Sequence, residues 1–168
     1  METSKNTSSL KENLLNIYYL NKLKILIVIF ILITFLIVIL ILKINNEKKN
    51  DLAAENYIKA GLYLASGKEE ESKKIFEKII ISKNKFYSLL SFNTLLEKNL
   101  ISDEKKILEY FNLFEEMNLT NEQNDLISFK KGLFLIETNN KDQGQRILKD
   151  LINKESQFKS LAKDVITK

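Results

Sequence analysis

The run ILIVIFILITFLIVILIL, from Ile25 to Leu42, contains eighteen residues without a charge, and Thr34 is its one polar side chain. An α-helix rises about 1.5 Å per residue, so a helical run of this length is roughly 27 Å long, close to the hydrocarbon thickness of a bilayer. Because a helix satisfies its own backbone hydrogen bonds, such a segment is stable in lipid. The run therefore predicts one membrane-spanning helix.

The flanks of this run are basic, with Lys22 and Lys24 before it and Lys43 after it. Lysine stems can extend from the apolar region to the interfaces, so these residues suit the two ends of a membrane span. The sequence therefore predicts three parts: an N-terminal tail (1–21), a transmembrane anchor (22–44) and a hairpin domain (45–168).

A cleaved signal peptide is the alternative interpretation of the apolar run. The apolar region of a signal peptide is typically 7–15 residues long and ends at a small-x-small site. This run is longer, and the nearest small pair, Ala53-Ala54, lies well downstream. We therefore expect an uncleaved anchor.

Composition excludes several kinds of chemistry. The 168 residues include no His, Cys, Trp or Pro, which excludes the usual zinc sites, disulfides, thiol nucleophiles and Ser-His-Asp relays. Adjacent residues on a helix point about 100° apart, so the acidic stretches Glu69–Glu71 and Glu115–Glu116 are not facing acid–base pairs. We expect no enzymatic activity, no cofactor, no metal and no small-molecule substrate.

The charges are mixed along the chain. There are 26 basic and 22 acidic residues, a net charge of +4, and they do not form the one-signed stripe that is typical of nucleic-acid binding. We therefore expect no nucleic-acid partner. Charge also leaves the orientation of the anchor open, because lysines are equally frequent within about twenty residues of either end.

Apolar residues after the anchor recur with helical spacing in seven stretches, and none shows the alternation of a strand. Thr120 followed by Gln123 is a capping-box pattern, Ser102 and Ser156 are candidate caps, and Ser66-Gly67 and Asn139-Asn140 mark turns. The predicted fold class is all-α, with one transmembrane helix followed by a tetratricopeptide-like helical-hairpin solenoid of about seven short helices. The stripes are Tyr57–Leu64, Ile75–Ile80, Leu89–Leu96, Ile107–Phe114, Leu126–Ile136, Ile147–Ile152 and Phe158–Val165.

Two segments of the domain align at an offset of 72 residues, which is about two units of 36. They are AGLYLASGKEEESKKIFEKII (Ala60–Ile80) and GLFLIETNNKDQGQRILKDLI (Gly132–Ile152). Small residues occupy equivalent places in both helices of each pair, which allows close backbone approach. The matched pairs are Ala60 with Gly132, Tyr63 with Leu135, Gly67 with Asn139, Ser72 with Gly144, Phe76 with Leu148, and Ile79 with Leu151.

The middle unit, Phe86–Met117, is degenerate, with Thr94 and Leu108 where small residues are expected. Since a single hairpin cannot bury its own apolar face, we expect three stacked hairpins and a closing helix, Ser156–Thr167. A generic helical bundle without repeats is the alternative.

This arrangement resembles the YfgM-like family of bacterial inner-membrane proteins. The phrases AENYIKAGLYLASGKEEESKKIFEKI, FYSLLSFNTLLEK, NDLISFKKGLFLIETNN and SQFKSLAKDVI are similar to that family in kind and order. The resemblance covers nearly the whole chain from the anchor onward. The degenerate middle unit and the end at Lys168, where relatives often carry another hairpin, depart from the family pattern.

The resemblance implies a single-pass protein of the bacterial inner membrane, with its N-terminus in the cytoplasm and its domain in the periplasm. It implies a non-enzymatic accessory of the SecYEG secretion translocon that associates with a periplasmic folding factor of the PpiD type. A scaffold subunit for an envelope or cell-division assembly is the alternative function. The inner helices of such a stack can hold a peptide in a groove. The candidate groove residues are Asn56, Tyr57, Lys59, Asn93 and Lys131.

Overall fold

The computed structural model describes the backbone of residues 3–138 and 140–167, with side chains described from Tyr19 onward. This part of the chain is all helical and contains no strand, which confirms the predicted fold class. The helices are α1 (Thr3–Ala65), α2 (Glu69–Ile81), α3 (Tyr87–Glu97), α4 (Glu104–Glu115), α5 (Asn121–Glu137), α6 (Lys141–Asn153) and α7 (Lys159–Ile166).

The apolar run lies within α1, and its side chains from Leu26 to Leu42 are exposed. The hydroxyl of Thr34 donates to the carbonyl of Phe30 at 2.8 Å, so the run's one polar side chain is satisfied within the helix. Backbone dihedral angles leave the helical region at Asn21 (φ −122°, ψ 15°). The segment after this break is long and apolar enough to cross a membrane.

The first predicted stripe after the anchor is not a separate helix, because α1 continues to Ala65. No Gly or Pro lies between Lys43 and Ala60, so this stretch contains no strong helix breaker. The chain divides into two compact units, Met1–Lys49 and Asn50–Lys168, and the hairpins belong to the second.

Small residues bring paired helices together in the first and third hairpins, as predicted. The hydroxyl of buried Ser72 on α2 donates to the carbonyl of Ala60 on α1 at 2.8 Å. In the third hairpin Gly132 on α5 faces Gly144 on α6, and a Cβ built on Gly144 would lie 2.5 Å from the carbonyl oxygen of Gly132. The backbones therefore pack so closely that Gly144 has no room for a larger side chain, whereas a Cβ on Gly132 would first meet the side chain of Leu148.

Aromatic rings fill the middle hairpin instead. The ring of Phe92 on α3 lies 4.9 Å from that of Phe111, 5.2 Å from Phe114 and 5.9 Å from Tyr110, all on α4. These four residues belong to the main core, which extends from α1 to α5. The middle hairpin, which lacks the small residues of the other two, thus packs through its aromatic rings.

The turns bear out some of the predicted signals. Thr120 and Gln123 form the capping box, and Gly67 adopts a left-handed conformation (φ +73°) in the turn after α1. The prediction of Ser102 as a cap is wrong: the carboxylate of Asp103 accepts hydrogen bonds from the first turn of α4, because its side chain is one residue closer to the free N–H groups.

The remaining two signals lie around α6. The prediction of Ser156 as the cap of the last helix is wrong, because α7 begins at Lys159 and its N-cap is Phe158. The hydroxyl of Ser156 accepts a hydrogen bond from the N–H of Phe158 at 3.2 Å and so lies in the turn before the helix. Asn139, half of the predicted Asn139-Asn140 turn, lies outside the described residues.

Gly144→Ala is expected to lower the free energy of unfolding of the domain by about 1–2 kcal/mol, because steric overlap outweighs the helix propensity gained. The new Cβ would meet the backbone nitrogen of Ile136 at 3.0 Å as well as the Gly132 carbonyl. Gly61→Ala is the matched control, since its Cβ would have nothing within 4 Å. That change should stabilise the helix by up to about 1 kcal/mol. Thermal unfolding followed by circular dichroism tests both, and equal effects would contradict the close packing.

Candidate protein-binding surface

Tyr57, the first candidate groove residue, joins three helices. Its ring lies 5.5 Å from that of Phe76 on α2 and 6.0 Å from that of Tyr87 on α3. Its hydroxyl lies 3.2 Å from the hydroxyl of Thr94, also on α3. The side chain is half-buried, so most of its surface serves packing between the first two hairpins.

A slot that recurs every 36 residues contains Tyr57, Asn93 and Phe129, each on the first helix of its hairpin. The ring of Phe129 stacks on that of Phe158 at 5.3 Å, as Tyr57 packs on the following hairpin. Asn93 in the middle slot is half-buried, and its side-chain carbonyl oxygen is buried with no hydrogen-bond partner among the described residues. Asn56, next to the first slot, is also half-buried.

The side chain of Lys131 on α5 binds residues of α4. Its side chain is only 12% exposed, and its ammonium lies 2.7 Å from a carboxylate oxygen of Glu115. The same ammonium donates to the side-chain carbonyl of Asn112 at 3.2 Å. This candidate groove residue therefore ties two neighbouring helices together through its charge.

A second polar cluster links α2 to α4. The ammonium of Lys106 donates to the carboxylate of Glu77 at 2.6 Å and lies over the ring of Tyr110. The hydrogen bond to Glu77 raises the pKa of Lys106 above its usual value, and burial raises the pKa of Tyr110. Because Lys106 and Glu77 pair with each other, this cluster joins α2 to α4, as the pair of Lys131 and Glu115 joins α5 to α4.

One side of α1 within the domain carries apolar residues that remain exposed. Leu52 is 58% exposed, Ile58 63% and Leu62 64%. At about 100° per residue these positions share one side of the helix, opposite buried Ala60. We call this side the α1 outer face; it consists of Leu52, Glu55, Ile58, Lys59 and Leu62.

Lys59 is thus the candidate groove residue that lies on this exposed surface. Tyr57 and Lys131 are used in contacts between helices, and Asn56 and Asn93 are half-buried. A common groove of all five residues stays a prediction. Ile58 and Leu62 lie outside the predicted stripe, which packs on α2. The signal that could have identified them is an apolar pair left over on the other side of the same helix.

Comparison of the chain with protein-family models, with curated protein sequences and with solved structures gives no significant match.

Proposed function

We propose that this chain is a non-enzymatic, membrane-anchored protein–protein interaction module that serves the secretion translocon and the periplasmic chaperone network. The observation that carries the proposal is the α1 outer face, an exposed apolar surface outside the predicted membrane span. Such surfaces on soluble domains are typical of sites that bind other proteins. The SecYEG translocon and a PpiD-type folding factor are proposed as partners from the resemblance to YfgM-like proteins.

The chemistry of the α1 outer face suits a partner helix. Ile58 and Leu62 are spaced i, i+4 and can pack into the groove of an amphipathic helix. Glu55 and Lys59 are exposed beside them and can set the register through pairs with opposite charges on the partner. In stacked hairpins each unit packs on its neighbours, and the first helix of the stack has one side without a preceding hairpin.

The anchor contributes by restricting the search for the partner. A module that is fixed in the membrane meets a membrane-embedded partner at a high effective concentration, so a modest interface is enough for association. The proposed location is the bacterial inner membrane, with the N-terminus in the cytoplasm and the domain in the periplasm.

Ile58→Glu with Leu62→Glu is expected to reduce partner capture at least about tenfold, because a loss of two buried contacts exceeds 1.4 kcal/mol. Capture would be measured by crosslinking the tagged full chain in intact membranes and identifying the products by mass spectrometry. Both side chains are exposed in the free domain, so its melting temperature should change little. Leu161→Glu, at an exposed leucine of α7, is the matched control and should leave capture intact.

The identity of the captured proteins decides between functions. Translocon subunits or a periplasmic folding factor would support the proposal. A fixed stoichiometric set of envelope proteins would favour a scaffold subunit instead. Capture of cytoplasmic proteins alone would contradict the proposed topology.

A further inference from the structure

The last residue of α2 and the connection to α3, together called the loop Ile81–Phe86, combine exposed apolar and basic side chains. The loop reads ISKNKF, from Ile81 to Phe86. Ile81 is 64% exposed and Phe86 60%, and both lysines between them, Lys83 and Lys85, are exposed. Aromatic and basic residues together are typical of segments that bind at the interface of a membrane.

A hydrogen-bond network holds the loop beside the first residue of the domain. The side-chain amide of Asn84 donates to the side-chain carbonyl of Asn50 at 2.6 Å. The carbonyl oxygen of Asn84 accepts from the N–H of Phe86 at 3.1 Å and from that of Tyr87 at 2.9 Å. Asn84 therefore fixes the start of α3 and keeps the exposed loop next to Asn50.

Covalent connectivity then limits how far this loop can be from lipid. Asn50 follows Leu42, the end of the apolar run, by eight residues. Even a fully extended chain of that length spans at most about 29 Å, so the loop is within reach of the surface of any membrane that the run crosses. Because the loop and the membrane are held together by the chain, a weak affinity of the loop for lipid is enough for binding.

We propose that the loop Ile81–Phe86 is a membrane-docking surface of the domain that binds anionic lipid headgroups. Phe86 and Ile81 enter the interfacial region, and Lys83 and Lys85 pair with headgroup phosphates. Lys83 is available for this role, because its pair with Glu116 is long at 4.0 Å and both side chains are more than half exposed.

This inference goes beyond the proposed function, since it concerns lipid and holds on either side of the membrane. Two observations select lipid over a protein as the occupant: the short covalent connection to the apolar run, and the absence of acidic residues in a loop that carries two lysines. Each lysine near an anionic surface contributes about a fivefold preference for the bound state.

The test uses a tryptophan at the site, because the chain contains none. The full-length Phe86→Trp variant would be reconstituted in vesicles of 70% phosphatidylcholine and 30% phosphatidylglycerol, with and without bromine on the acyl chains. We expect blue-shifted emission and quenching by the brominated lipid. Leu161→Trp, at an exposed position on α7, is the matched control and should stay red-shifted and unquenched.

The contribution of the two lysines to lipid binding is tested in the Phe86→Trp variant. Lys83→Gln with Lys85→Gln should shift the docking equilibrium about 25-fold toward the undocked state in anionic vesicles. Lys154→Gln with Lys163→Gln, two exposed lysines elsewhere in the domain, should not. Circular dichroism would confirm that all variants fold.

Three results would overturn the proposal. The first is red-shifted, unquenched emission from Trp at position 86, which would show that the loop stays in water. The second is equal quenching at positions 86 and 161, because contact would then not be specific to the loop. The third is quenching that does not change on removal of the two lysine charges.

Discussion

Phe92→Ala should lower the free energy of unfolding of the domain by about 3–5 kcal/mol. Phe92 is fully buried, and its ring contacts the rings of Tyr110, Phe111 and Phe114. Truncation removes the transfer free energy of the ring and leaves a cavity that its three ring neighbours cannot fill. A domain of this size is stable by roughly 6–18 kcal/mol, so the loss is a large fraction of the total.

Unfolding of the full chain in mild detergent, followed by circular dichroism, would measure this loss. Phe86→Ala is the matched control, because that phenylalanine is 60% exposed and its truncation should change stability by about 0.5 kcal/mol or less. Equal losses in the two variants would show that the aromatic packing of the middle hairpin is not the core of the domain.

Three arginines in the apolar run should prevent stable membrane insertion. Each arginine near the centre of a span costs about 2.5–3.5 kcal/mol, whereas each Ile, Leu, Val or Phe contributes only about 0.3–0.6 kcal/mol in favour. Ile31→Arg, Thr34→Arg and Ile37→Arg together cost about 9 kcal/mol of insertion free energy, against about 7 kcal/mol in favour from the fifteen apolar residues that remain in the run. Most of the protein should then be extracted from membranes at alkaline pH.

The control for this experiment replaces the same three residues with leucine, which keeps the run apolar. The leucine variant should remain in the membrane pellet after alkaline extraction. If the arginine variant remained there as well, the run Ile25–Leu42 would not be what holds the protein in the membrane. The loop Ile81–Phe86 would then have no short covalent connection to the bilayer.

Local patterns were enough to predict the helical fold class and some of the helix caps and turns. Helical spacing of apolar residues depends on near neighbours in sequence, and so does the Thr120–Gln123 capping box. The predicted cap of α4, Ser102, is one residue away from the observed cap, Asp103. The carboxylate of Asp103 is a stronger acceptor for the free N–H groups of the first turn. Small residues at Ala60, Ser72, Gly132 and Gly144 also marked close helix pairs correctly.

Candidate site residues were harder to predict, because a polar or aromatic side chain on an inner helix can serve either packing or binding. Tyr57 and Lys131 were chosen for their chemistry, and that same chemistry ties each to neighbouring helices. The partners that engage them, Thr94 and Glu115, are distant in sequence. No local pattern contains that information.

By itself, then, the sequence determined that this chain has an apolar run able to cross a membrane and an all-helical domain with paired small residues. Both follow from interactions within one helix or one hairpin. Only the tertiary structure decided that Ile58 and Leu62 stay exposed while Ala60 is buried, and that Asn84 joins the loop after α2 to Asn50. Periodicity tells which residues share a face of a helix, but what covers that face depends on contacts between residues far apart in the chain.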